Sequence, residues 1–194
     1  MTDQNKYSFS FTTSSLRLNE MVMVANHLVK GRSLDVTSEL GNGNTKTGGK
    51  MFSEMKKRIA NLTPLEVEIL LQGDLVAQRQ MAFLSICKTY GFIRDFVVEV
   101  LFEKMLVFDY QITDGEYLSF FRRKAELHPE MDKLTEITQS KIRQVIFKMM
   151  EQAGIINHVK TKVLLPQLLE GSIVVAIRED DPDLLKVFLL NDSR

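Results

Sequence analysis

The sequence predicts a mainly α-helical protein with a helical bundle followed by a winged-helix-like part that contains a short β-hairpin. Three observations carry this prediction. Apolar residues recur at three- and four-residue spacing through most of the chain. Helix-starting and helix-stopping residues punctuate those stripes. Near the C-terminal third, the order is helix, very short helix, longer helix and then an alternating basic segment, IINHVKTKVLL. We place the bundle at 1–108 and the winged-helix-like part at 109–194.

The elements follow in order. KYSFSF alternates and suggests a short strand, after which Ser14 or Ser15 can cap a helix carrying Leu18, Met21, Val22, Ala25, Leu28 and Val29 to a stop at Gly31. GNGNTKTGG at 41–49 reads as a loop, and its GGKM lacks the spacing of a phosphate loop. KMFSEMKKRIANL reads as a helix with Met51 or Phe52, Met55, Ile59 and Leu62 inward and Lys56, Lys57 and Arg58 on or near its outer face. Thr63 and Glu66 form a capping box with Pro64 at the first helical position, and the helix stops at Gly73. Asp74 starts the next helix, through LVAQRQMAFLSICKTY, and Gly91 kinks or separates it from a stripe of Ile93, Phe96, Val97, Val100 and Leu101.

After FDYQITDGEY, Asp114 caps a helix with Tyr117, Leu118, Phe121 and Leu127, which His128-Pro129 stops. A very short helix runs on to Leu134. Thr138 can then cap TQSKIRQVIFKMMEQAGII, whose Ile142, Val145, Ile146, Met149, Met150 and Ala153 form one buried stripe before Gly154. The tail is read as helical.

Charge and chemistry narrow the function. The 25 basic and 25 acidic residues balance to zero, yet like charges are blocked: residues 44–62 and 133–162 are each +4, while 63–132 is −5 and 163–194 is −3. A neutral protein can therefore carry a local polyanion site. His27, His128 and His158 lie in unrelated segments, with no metal-ligand spacing, and there is no serine elbow, dinucleotide turn or Cys/His pair. The single cysteine, Cys87, sits in an apolar run. We expect no catalytic residues, no metal and no cofactor. The N-terminus lacks the pattern of a secretory signal, and no apolar stretch is long enough to span a bilayer, so a cytoplasmic protein is expected.

A DNA-reading helix packs by one face and presents long hydrogen-bonding side chains on the other. Gln139, Ser140, Lys141, Gln144 and Lys148 lie away from the apolar stripe and Arg143 at its margin, with Lys160 and Lys162 on the expected hairpin. Gln pairs with adenine, Arg with guanine, and Ser or Lys with phosphate. Lys46, Lys50, Lys56, Lys57 and Arg58 make a second candidate phosphate-binding cluster.

Four segments, KYSFSFTTSSLRLNE, CKTYGFIRDFVVEVLFEKM, FFRRKAELHPEMDKLTEITQSKIRQVIFKMMEQAGII and EDDPDLLKVFL, resemble the BrxA family of bacterial BREX phage-defence systems, over nearly the whole chain. The resemblance implies a small, mostly helical, non-enzymatic protein that binds double-stranded DNA alongside methyltransferase, ATPase and phosphatase-like proteins of the system. The family's helical part is similar to the RNA-binding antitermination factor NusB, so fold alone does not name the ligand. An RNA-binding module and a protein-interaction adaptor within the defence complex are the alternatives. An inner-membrane label attached to the family is at odds with the absence of a spanning segment. The 44–62 region is less basic than the family's pattern implies.

Overall fold

Capping chemistry sets most helix boundaries in the computed structural model, which describes residues 6–192. The first five residues of the stretch read for a secretory signal lie outside the described residues. Helix α1 (Leu18–Lys30) ends at Gly31, whose φ of 61° is the left-handed conformation that favours glycine. Its N-cap is Arg17, itself left-handed at φ 54°, rather than Ser14 or Ser15. α2 (Thr45–Ile59) starts on Asn44, whose side chain accepts the Thr47 N–H. α3 (Pro64–Gln72) opens on the complete Thr63–Glu66 capping box with Pro64 in its first turn, as expected. The Asp74 carboxylate accepts the Ala77 N–H at 2.8 Å to start α4 (Leu75–Thr89).

Gly91 separates α4 from α5 (Gly91–Phe96), which continues through a π-helical run, Val97–Phe102, into α6 (Glu103–Leu106). α7 (Asp114–Leu127) stops at His128, and a 3₁₀ turn, Pro129–Lys133, leads to α8 (Glu136–Ala153), which ends at Gly154. The tail holds α9 (Gly171–Asp180) and a 3₁₀ segment, Pro182–Phe188, while 166–170, expected to be helical, is irregular. The fold is mainly helical.

The chain packs into two compact units that interleave in sequence. One, the α2 unit, is Leu16–Thr89 with Leu169–Pro182; the other, the α8 unit, takes the described residues up to Ser15, Tyr90–Leu168 and those from Asp183. This division differs from a single boundary after residue 108, because Tyr90–Phe108 belongs with the later helices and the N-terminal strip joins them.

Within the α2 unit, α4 is buried without interruption from Gln80 to Cys87, which marks it as the central helix, and α1, α2 and α3 pack around it. Lys88 ties α9 into this unit through ion pairs to Glu66 at 2.7 Å and Asp180 at 2.8 Å. Glycine decides the join before α2. A Cβ on Gly48 would stand 2.1 Å from the Val36 carbonyl oxygen, and one on Gly41 would stand 2.2 Å from that of Asn44. The expected loop at 41–49 is therefore a close-packed junction: its glycines let a π-helical turn, Val36–Leu40, lie against the start of α2.

An aromatic chain forms the core of the α8 unit. Tyr7 and Phe9 pack on Phe92, each with ring centroids 5.3 Å away, Phe92 meets Phe120 at 5.2 Å, and Phe96 meets Tyr117 at 5.4 Å and Phe147 at 6.0 Å. Each fully buried ring contributes about 1.5–3 kcal/mol by area, with a further ~0.5–1.5 kcal/mol for a well-placed pair. The Tyr7 hydroxyl donates to Asp95 at 2.5 Å, and the Lys124 ammonium reaches Asp95 at 2.9 Å and Glu99 at 2.5 Å. KYSFSF is thus an anchored irregular strip ending in a 3₁₀ turn, Ser10–Thr13, and not a strand.

The expected β-hairpin is likewise corrected. No strand forms among the described residues, and 155–165 is a loop held by isolated antiparallel bridges, Ile156 to Leu164 and Gln111 to Val163. Asn157 explains why the ladder stops. Its side-chain oxygen accepts the N–H groups of His158 at 2.7 Å and Val163 at 3.0 Å and the Thr161 hydroxyl at 2.9 Å, closing a tight loop. Lys162, at φ 51°, turns the chain out of the extended region.

Candidate functional site

Helix α8 is amphipathic in the sense its spacing predicts. Ile142, Val145, Ile146, Met149, Met150 and Ala153 are buried, and Phe147, which the stripe did not include, is buried with them. That packing fixes the opposite face. Ser140, Lys141, Gln144 and Lys148 are exposed and Arg143 is half-buried.

These five residues line one groove of about 760 Å³ in the α8 unit, together with Lys162 from the 155–165 loop, Asp114 from the start of α7, and Thr12, Ser14 and Ser15 from the N-terminal strip. Phe147, Val145 and Val159 supply its apolar part. The lining holds Lys141, Arg143, Lys148 and Lys162 against a single lining carboxylate, Asp114, so the groove is basic on a neutral protein. Such a surface concentrates anions by its local field.

The parts are held in place by α8 itself. Glu151 accepts the Val159 N–H at 3.2 Å and pairs with Lys148 and, at 3.7 Å, with His158, which pins the loop to the helix. The Lys148 hydrogen bond, more than any other contact, holds the Glu151 carboxyl below its ordinary range. The Lys162 ammonium stands 5.2 Å from the Phe147 ring centre and bonds Asp114 at 2.8 Å; Arg143 lies 3.8 Å from the same oxygen. The Lys162 bond, above all, lowers the Asp114 pKa. Lys141 donates to Gln144 at 3.3 Å.

The other sequence candidates lie elsewhere. Gln139 turns back and donates to the Leu134 carbonyl at 3.0 Å. Lys160 is exposed on the loop outside the groove lining. Lys46, Lys50, Lys56 and Lys57 are exposed on α2, in the other unit; 46, 50 and 57 share one helical face by their spacing. Arg58 is a correction: it is fully buried, its Nε 2.8 Å from Glu54 and its Nη1 3.3 Å from the Leu16 carbonyl, so it holds α2 in its unit and offers nothing to a ligand.

The N-terminal hydroxyl residues and Asp114 were not among the candidates. By sequence Asp114 is the expected helix cap, but Thr113 fills that role with Glu116 in a capping box, which leaves the Asp114 carboxylate to face the groove. Thr135, not Thr138, likewise caps α8. Among the described residues no group of His, Cys, Asp and Glu could hold a metal ion, and no helix is long and apolar enough to cross a membrane.

Comparison with known proteins places this architecture. The family model described as BrxA matches residues 5–181. The chain belongs to the BrxA family. A BrxA relative from Bacillus cereus (strain H3081.97), described as "BREX protein BrxA", is 23% identical over 167 residues, covering 82% of this chain and 84% of that one. The BrxA fold also has a solved counterpart: the crystal structure of an uncharacterized protein from Magnetospirillum magneticum superposes with a TM-score of 0.79 at 18% identity, covering 95% of this chain and 98% of that one.

Proposed function

We propose that this BrxA-family protein is a non-enzymatic, double-stranded DNA-binding component of a BREX anti-phage defence system, acting in the cytoplasm with other BREX proteins and without a cofactor. The observation that carries the DNA reading is the α8 groove, whose lining holds four cations from a rigid helix and a pinned loop and one carboxylate. The defence assignment draws on the family and on the BREX name of the Bacillus cereus relative. In this reading Ser140, Lys141, Arg143, Lys148 and the hydroxyls at the groove's edge hold backbone phosphates, while Gln144 faces base edges. The exposed lysines of α2 supply a second, weaker phosphate contact.

Anisotropy titrations of a labelled 20-base-pair duplex over a salt series test this. Affinity is expected to fall steeply with salt, by about 0.9 in log-log slope for each phosphate neutralised. Lys141→Gln with Lys148→Gln should lower the slope magnitude by about 0.9, the share of Lys141, because Lys148 is already paired with Glu151. Salt-independent binding, or equal binding by the double variant, would sink the proposal. Preference for a structured RNA competitor over duplex would favour the RNA reading instead, and nuclease-resistant capture of BREX proteins without duplex binding would favour the adaptor.

A further inference from the structure

We infer that Asp114 occupies, inside the α8 groove, the place of a duplex phosphate, so that binding exchanges the protein's own carboxylate for a phosphate and Asp114 sets how strongly the groove discriminates polyanions from single anions. The inference rests on the DNA reading above. Asp114 is the one acid among the described residues lining the groove, and a single oxygen of it faces both Lys162 at 2.8 Å and Arg143 at 3.8 Å. A phosphate oxygen makes the same pair of contacts at a Lys and an Arg.

Three features separate this pair from an ordinary surface ion pair. First, Asp114 has no capping duty, since Thr113 and Glu116 satisfy the start of α7 between themselves. Second, Lys162 is mostly buried and its backbone carbonyl accepts the Ile112 N–H at 3.0 Å, so its ammonium is delivered by a fixed scaffold. Third, the Asp114 side chain is itself 56% exposed, which leaves it free to swing out when a stronger anion arrives. A single small anion gains only one exchange and faces the carboxylate's repulsion. A duplex gains from Lys141 and Lys148 at the same time and can displace Asp114.

The signature lies in counterion bookkeeping. A lysine already neutralised by an internal carboxylate releases no salt ion on binding, so in the unaltered protein Lys162 contributes little to the salt slope. Asp114→Asn frees it. The expected result is duplex binding roughly three- to tenfold tighter at about 0.1 M salt, with the slope magnitude raised by about 0.9. Lys162→Gln should weaken binding less than Lys141→Gln does in the unaltered background, and should abolish the gain in the Asp114→Asn background.

The test measures these proteins with the same labelled duplex, alongside thermal melts. If the unaltered protein binds duplex but Asp114→Asn binds equally or more weakly, Asp114 merely positions the cations: the inference falls and the DNA reading stands. Should Asp114→Asn fold poorly, the comparison of Lys162→Gln with Lys141→Gln still decides, and a Lys162 effect equal to or larger than that of Lys141 overturns the inference. Absence of duplex binding by the unaltered protein overturns inference and reading together, whether or not Asp114→Asn binds.

Discussion

Replacing Arg58 by methionine separates a structural arginine from a ligand contact. Methionine keeps most of the aliphatic stem and removes the guanidinium, leaving Glu54 without its 2.8 Å partner and the Leu16 carbonyl without its 3.3 Å donor. Breaking a buried ion pair from one side costs about 3–5 kcal/mol. Glu54 retains 10% exposure and can draw water to its carboxylate, which favours the low end, about 3 kcal/mol. For a chain of this size that corresponds to roughly 6–12 °C in melting temperature. Adding Glu54→Gln removes the carboxylate charge that Arg58 balanced and should restore part of the loss, on the order of 1 kcal/mol. Lys57→Met, on the exposed face, should stay within about 0.5 kcal/mol of the unaltered protein. Urea unfolding followed by circular dichroism measures all four proteins. An unchanged unfolding midpoint for Arg58→Met, combined with lost duplex binding, would refute the assignment of Arg58 to the core.

Two further outcomes are expected. Gly48→Ala should destabilise the protein, because its Cβ would stand 2.1 Å from a backbone oxygen, whereas Gly49→Ala, with open space around its Cβ, should stabilise α2 by about 0.5–1 kcal/mol; equal midpoints in denaturation would contradict the close-packed junction. Burial alone would raise the Asp95 pKa, but the hydrogen bonds from Tyr7 and Lys124 outweigh it and hold the carboxyl below its ordinary 3.8. A carboxyl lowered by folding stabilises above its unfolded value and loses that contribution as pH falls through the lower folded one. Burial first, then the bond to Asp95, raises the Tyr7 hydroxyl well above its ordinary 10.0, so its part persists up to that value and is lost only at more alkaline pH. The stability gap between the unaltered protein and Asp95→Asn should therefore be flat between about pH 4 and pH 10 and close below that window. Melts across pH measure it, and a gap that widens in acid would show that the network is wrongly assigned.

The helices were legible because their ends are chemical and local. Thr63 with Glu66, Asp74, Gly31 and Gly154 act on their own neighbours in sequence, so spacing alone finds them. What was not legible depends on residues distant in the chain. Arg58 falls on the stripe of Met51, Met55 and Leu62 at helical spacing, but its charge suggested solvent; contacts such as the Glu54 pairing and the Leu16 carbonyl make burial tolerable. The glycines at 41–49 suggested a loop by composition, yet their small size is what closes a junction. Phe147 sits between the two faces of α8, and Lys162 and Tyr117 come from far along the chain to cover it. The groove was half visible: its α8 side follows from periodicity, while Thr12, Ser14, Ser15 and Asp114 reach it by a fold that no local pattern records.

The interleaving of the two units sets an order of events during synthesis. The strip carrying Phe9, Phe11, Thr12, Ser14 and Ser15 leaves the ribosome before its ring partners, which begin at Tyr90, after the whole first stretch of the α2 unit. At about 5–20 residues per second, the strip waits several seconds with its aromatic rings uncovered. Leu16–Thr89 is complete in sequence long before the groove has both its sides. Any truncated chain that starts after α6 would keep α8 and the loop but lose the hydroxyl edge and the aromatic anchor beneath it.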